Sequence, residues 1–209
     1  MKKQITTLLL STMLLSTVIP QTVIASTEYS PGVEAEANNQ LDKELSEKYG
    51  VSIKNASEET RTYIEGALDK TNPNILKAFN EKGGTITFMD KVIYNGKVVG
   101  GLYSPSTQSI KISTYEEYGM RPQWWMQSDL LHEFGHFVYI NGNVSQEQKS
   151  VIKDIYNRYH DSVLSFTSED ETYAQLYSYD REYQEGKYSF LNGLSQSERQ
   201  VIKDIQSII

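Results

Sequence analysis

Five residues near the middle of the chain, His132-Glu133-Phe134-Gly135-His136, have the types and spacing of a metal-dependent hydrolytic centre. On a helix, residues four apart lie on one face, one above the other. Two imidazoles so placed can grip one zinc ion. Glu133, one residue past the first ligand, tilts its carboxylate toward the ion's open position and could there take a proton from water. Zinc suits amide hydrolysis because an amide carbonyl is a poor electrophile and water a poor nucleophile; the ion can polarise the first and acidify the second. The plain alternative is a chance pattern on an ordinary helix surface, and three features oppose it. Leu130, Leu131, Phe134, Phe137, Val138 and Ile140 make the helix apolar nearly all round, which predicts burial. Buried His132, Glu133 and His136 would need partners, and a metal supplies them. Gly135 costs about 1 kcal/mol relative to Ala inside a helix, which predicts close approach by another backbone. The chain has three His in all, so two at ligand spacing carry the more weight.

A catalytic zinc usually takes three protein ligands and keeps a fourth position for water. A third His six residues past the second is excluded, because that residue is Gly142. His160, Glu169, Asp170 and Glu171 remain. Glu171 suits best: it falls in the first turn of an expected helix, and small Ala174 lets that helix pack close. A competing role exists for the same side chain, since Ser168 and Glu171 have the spacing of a capping box. Glu169 is the reserve.

The elements that must position these residues read as follows. The chain has 209 residues, enough for one domain with a real core. Lys2 and Lys3 precede an apolar run over 8–19 and then Val23-Ile24-Ala25, the pattern of a secretory signal peptide cleaved after Ala25. That run is too short to span a membrane. There is no Cys, hence no disulfide and no lipid-bearing Cys. The expected organisation is a signal peptide over 1–25, a flexible leader over 26–39 and a single domain over 40–209. Without the signal peptide 18 basic and 27 acidic residues remain, a net charge of −9. That balance argues against nucleic-acid and membrane partners.

Residues 41–49 read as a short charged helix ended by Gly50. Ser57 caps a helix to Asp69 with Ile64, Ala67 and Leu68 inward, and Asn72-Pro73 starts another with Ile75, Leu76 and Phe79 inward. Strands follow over 85–89, 92–94, 97–99, 100–103 and 109–113, with an Asn95-Gly96 hairpin signal. The sheet is expected to be small and antiparallel, and one of its strands could pair with an extended substrate. Pro122 opens the zinc helix, Trp124 and Trp125 read as core or helix-anchoring residues rather than substrate contacts, and Asn141-Gly142-Asn143 ends it. Ser145 with Gln148, and Ser195 with Glu198, cap two further helices that share the string Val-Ile-Lys-Asp-Ile at 151 and 201.

Leu131-His132-Glu133-Phe134-Gly135-His136 with Val138 resembles the zinc helix of the anthrax lethal factor catalytic domain, which also underlies the small secreted Pro-Pro endopeptidases of Gram-positive bacteria. Residues 165–175 resemble that family's second motif with Glu171 at the ligand position, and 188–191 are similar to the small endopeptidases. The resemblance covers roughly 57–209. It implies an α+β fold: a mainly helical, zincin-like metallopeptidase domain with a small antiparallel or mixed sheet before the zinc helix. It further implies a secreted, extracellular zinc endopeptidase, with His132, His136 and Glu171 on Zn2+ and Glu133 as general base. The expected partner is an extended, proline-rich peptide or protein, and the expected state a monomer. Two departures stand out. The Tyr that the family carries before its glutamate ligand, where it helps stabilise the tetrahedral intermediate, is replaced by Phe166, or by Leu164 on strict spacing. His160, Tyr159 or Tyr173 would have to substitute. Loss of one such donor costs about 10²–10³ in rate. Gln175 stands where the family often has a second acid. The alternative reading is therefore a secreted binding protein of the same fold with little or no turnover.

Overall fold

The computed structural model describes residues 31–209 except 117–118, 121–122, 162–165, 184–192 and 208–209. The expected signal peptide, Pro122, Leu164, Ser165 and residues 188–191 lie outside the described residues. Helix α1 (Pro31–Tyr49) starts ten residues before the expected Leu41, so residues 31–39 of the expected leader are helical. Pro31 suits a first helical turn, and the Glu-Ala-Glu-Ala run at 34–37 is made of good helix formers.

Leu41 and Leu45 of α1 are buried. Asp42 accepts hydrogen bonds from the backbone N–H groups of Asn55 (2.8 Å) and Ala56 (2.7 Å), which fixes the turn after strand β1 (Ser52–Lys54). That strand carries too few residues to show an alternation. Helices α2 (Glu58–Lys70) and α3 (Pro73–Glu81) follow with the inward residues expected. Strands β2 (Thr85–Met89), β3 (Val92–Tyr94), β4 (Lys97–Val99), β5 (Gly101–Ser104) and β6 (Ser109–Ser113) come next, with a small β7 (Tyr115–Glu116) and β8 (Gly119–Met120) pair.

The main sheet has the order β1-β2-β6-β5 and is mixed, not antiparallel. β1, β2 and β6 run parallel, and β5 joins β6 antiparallel. Alternation sets which side chains share a face and carries no strand direction; here α2 and α3 form the crossover that a parallel β1–β2 pair requires. Ile86 faces Ile110 and Phe88 faces Ile112 across the β2–β6 pair, all four buried. The β3–β4 hairpin forms its own two-stranded sheet, with Asn95 and Gly96 both at positive φ (50° and 76°), as its tight turn demands.

Four helices complete the seven found among the described residues: α4 (Gln123–Asn141), α5 (Gln146–Tyr159), α6 (Glu169–Tyr183) and α7 (Gln196–Gln206). Both capping boxes, Ser145/Gln148 and Ser195/Glu198, are formed. Ile152 and Ile155 of α5 and their counterparts Ile202 and Ile205 of α7 all enter the core. The fold is α+β, and no described helix is long and apolar enough to cross a membrane.

α4 is the central helix. Leu130, Leu131, Phe134, Phe137 and Val138 are fully buried, whereas Ile140 is exposed. Phe79 of α3 meets Phe134 and Phe137 edge to face, at 5.4 and 5.1 Å between ring centroids. Of the two roles expected for Trp124 and Trp125, the core is excluded: they stand exposed at the start of α4, edge to face at 5.3 Å. α6 crosses α4 at Gly135, where a Cβ would stand 2.6 Å from Ala174 Cα and 3.0 Å from Ala174 O. The close backbone approach expected at Gly135 is thus made by the helix that carries Glu171, against its small Ala174.

Candidate metal centre

His132 and His136 project from the same face of α4, with their Nε2 atoms 3.1 Å apart. Glu171, in the first turn of α6, reaches both: Oε2 lies 3.1 Å from His132 Nε2 and Oε1 3.5 Å from His136 Nε2. The Gly135–Ala174 contact allows this. A larger residue at either position would hold α6 further off and draw the carboxylate away from the imidazoles. The three residues form a group whose ligand atoms all lie within 4.8 Å of one another and that could hold a metal ion. Two imidazole nitrogens and one carboxylate oxygen are a donor set compatible with zinc.

The competition over Glu171 is resolved by a half-made cap. Ser168 Oγ accepts the Glu171 N–H at 3.4 Å, while the Glu171 carboxylate turns to the imidazoles. Glu169 points elsewhere and pairs with Lys153 at 3.6 Å. Asp170 borders the site but accepts the Ser168 hydroxyl. His160 ends α5, bonded to Tyr156 O and close to Asp161, away from the group.

Charge is unevenly placed among these groups. The hydrogen bond from His132, then that from His136, hold the Glu171 carboxyl well below the usual carboxylate range, against the opposing effect of burial. Burial pulls the His132 imidazole down, but the bond to Glu171 and the charges of Glu133, Glu171 and Asp129 outweigh it, and the net shift is upward. Glu133 is 5% exposed. Burial pushes its carboxyl up, with His132, His136 and the Tyr103 N–H pulling the other way. A buried carboxyl with a raised pKa beside a group that could hold a metal ion is suited to exchanging protons.

These side chains open onto a cavity of about 440 Å³ between α4, α6 and strand β5. Its other walls include Tyr94 of the hairpin, Leu102, Pro105 and Ile140, and no Lys or Arg occurs among the described lining residues. Gln175 also lines it, one turn after Glu171. β5 is the edge of the main sheet. The Tyr103 N–H points away from β6 and donates to Glu133 Oε2 at 2.6 Å.

The residues considered as replacements for the missing phenol do not reach the cavity. Phe166 is a core residue. Tyr173 is fully buried and stacks on Tyr139 at 5.2 Å. Tyr159 donates to Gly193 O at 3.3 Å. The phenols among the described lining residues are Tyr94 and Tyr103, and the Tyr103 hydroxyl is bonded to Gln108 and Asn141. Sequence reasoning passed over Asp129, Tyr94, Gly101 and Tyr103. One signal was present for Gly101, a Gly100-Gly101 pair in a strand pattern, which marks close backbone approach.

A scan of the chain against protein-family models finds no match, and a comparison with curated proteins finds no similar sequence.

Proposed function

We propose that the chain is a secreted, zinc-dependent endopeptidase of the zincin-like, lethal-factor type. The observation that carries the proposal is the convergence of His132, His136 and Glu171 beside the buried carboxyl of Glu133, at the wall of an open cavity. His132, His136 and Glu171 would hold zinc, which when bound would polarise the scissile carbonyl and acidify water.

The chain's own residues supply the rest. Glu133 accepts a proton of the attacking water as the C–O bond forms and delivers it to the leaving amine as the C–N bond then breaks, so the proton is conserved. The outer backbone edge of β5 faces the cavity; its Tyr103 N–H is taken by Glu133, and the remaining outward polar groups offer hydrogen bonds to an extended peptide laid alongside it. The cavity carries Asp129, Asp170 and Glu171 without a described Lys or Arg, which disfavours anionic substrates. Tyr94, Leu102, Pro105 and Ile140 supply apolar surface for neutral side chains, proline among them.

The position of Phe166 in the core and of Tyr159, Tyr173 and His160 outside the cavity favours a second reading, a secreted binding protein of this fold with little turnover. A peptide library separates the two. The endopeptidase reading expects cleavage by the wild type and none by Glu133→Ala, which keeps its metal. Cleavage retained by Glu133→Ala would sink the mechanism, and no cleavage by any form would leave the binding protein.

A further inference from the structure

Strand β5 meets the Glu133 carboxylate at two points. The Tyr103 N–H donates to Oε2 at 2.6 Å. Two residues earlier, a Cβ on Gly101 would stand 2.5 Å from Glu133 Oε1, 2.8 Å from Cγ and 3.0 Å from Cδ. Real Cβ contacts essentially never fall under 3.0 Å, so any other residue at 101 must displace the carboxyl or the strand. The pairing of β5 with β6 explains the geometry. In an antiparallel pair, alternate residues turn both backbone polar groups toward the partner or away from it. Gly100 O accepts from Ser113 N, and Leu102 lies opposite Lys111, so the even-numbered residues serve β6. The Tyr103 N–H therefore points out from the sheet edge, where it donates to Glu133, and the same carboxylate takes up the space that the missing side chain of Gly101 leaves.

We propose that Gly101 and the Tyr103 backbone amide are positioning groups that hold the Glu133 carboxylate against the sheet edge in one orientation. The inference rests on Glu133 being the general base. Burial alone does not orient a carboxyl. A long acid on a helix has three side-chain torsions, and a charge-assisted hydrogen bond at one oxygen, with a tight wall at the other, removes that freedom. Proton transfer needs the acceptor within about 2.6–3.2 Å of its donor. A misplacement of about 1 Å can cost on the order of 10²-fold in rate.

Amide hydrogen exchange on the full chain tests the contact without zinc or substrate. Tyr103 N–H makes no ladder bond to β6, so its protection must come from Glu133. It should exchange slowly in the wild type and roughly tenfold or more faster in Glu133→Ala and in Gly101→Ala, with Leu102 N–H unchanged. Fast exchange in the wild type, or rates equal in all three, overturns the inference. On a cleaved peptide, Gly101→Ala should lose kcat on the order of 10²-fold with KM and zinc content kept. Unchanged kcat would likewise overturn it. Should Gly101→Ala fail to fold, replacing Tyr103 by its α-hydroxy acid removes the N–H and keeps the side chain; the same loss of kcat is expected, and full activity refutes the inference. If the wild type cuts no peptide, the hydrolase reading falls, and the exchange rates still decide the contact.

Discussion

Gly135→Ala sets two effects of known sign against each other. In an unencumbered helix the change is favourable by about 1 kcal/mol, because Ala loses less backbone freedom on folding. At this position the added Cβ meets Ala174 Cα at 2.6 Å, Ala174 O at 3.0 Å and Tyr177 Cβ at 3.1 Å. Two of these atoms are backbone, so no rotamer relieves the clash. Ordinary contact begins at 3.4 Å, so α6 must retreat by about 0.8 Å. Overpacking of this kind costs about 1–3 kcal/mol, which set against the helix gain leaves a net loss of up to about 2 kcal/mol. Thermal unfolding should therefore fall by about 2–4 °C for each kcal/mol lost. The same retreat carries Glu171 away from His132 and His136. Metal–ligand distances tolerate only about 0.2 Å, so zinc affinity, read by competition against a chromophoric chelator, should drop by tenfold or more, an order-of-magnitude figure. Gly66→Ala in α2 is the control: its Cβ meets only the end of the flexible Gln127 side chain, so stability should hold or rise by up to about 1 kcal/mol. A Gly135→Ala protein as stable as the wild type, with zinc affinity intact, would refute the reasoning.

Two further outcomes follow from the packing and the charges. Phe137 lies edge to face with both Phe79 (5.1 Å) and Tyr103 (5.9 Å), tying α4 to α3 and β5. Phe137→Ala should cost about 3–5 kcal/mol in denaturant unfolding; a loss under 1 kcal/mol would deny it that role. Burial pulls the His132 imidazole down, but the bond to Glu171 and the nearby carboxylates outweigh it and raise the group, so it gives up its proton less readily than an ordinary His and zinc binding must displace that proton. Apparent zinc affinity should thus weaken as pH falls, beginning above about pH 6.5, the ordinary His value. Calorimetric titration in buffers of different ionisation enthalpy near neutral pH should detect proton release on binding, and release of none would contradict the shift.

The helix carrying His132 and His136 was legible in the sequence because a buried helix makes its polar residues costly, and each needs a reason to be there. Gly135 and Ala174 were legible as a close crossing, since small residues inside two helices of one core have few other uses. The Ser168–Glu171 spacing was ambiguous: it fits both a cap and a ligand, and the half-made cap gives each group one task. Strand direction was not legible. Alternation in residues 85–89 and 109–113 fixes faces, and β1 is too short to alternate, so the parallel core of the sheet stayed hidden. Propensity was underused at residues 34–37, whose Glu-Ala repeat belongs to α1. Trp124 and Trp125 misled because large aromatics favour burial, while their place at the open end of α4 leaves them exposed. The role of Gly101 needed coordinates, because the atom that forbids a side chain there belongs to Glu133, 32 residues away.

The central claim is that one metal ion sits on two residues of α4 and one of α6. Metal analysis of the wild type, Glu171→Ala and Glu169→Ala tests it directly. The account predicts one zinc per chain in the wild type and in Glu169→Ala, and its loss in Glu171→Ala. Zinc kept by Glu171→Ala and lost by Glu169→Ala would contradict the site, and no zinc in any form after adding it back would contradict the proposed function as well.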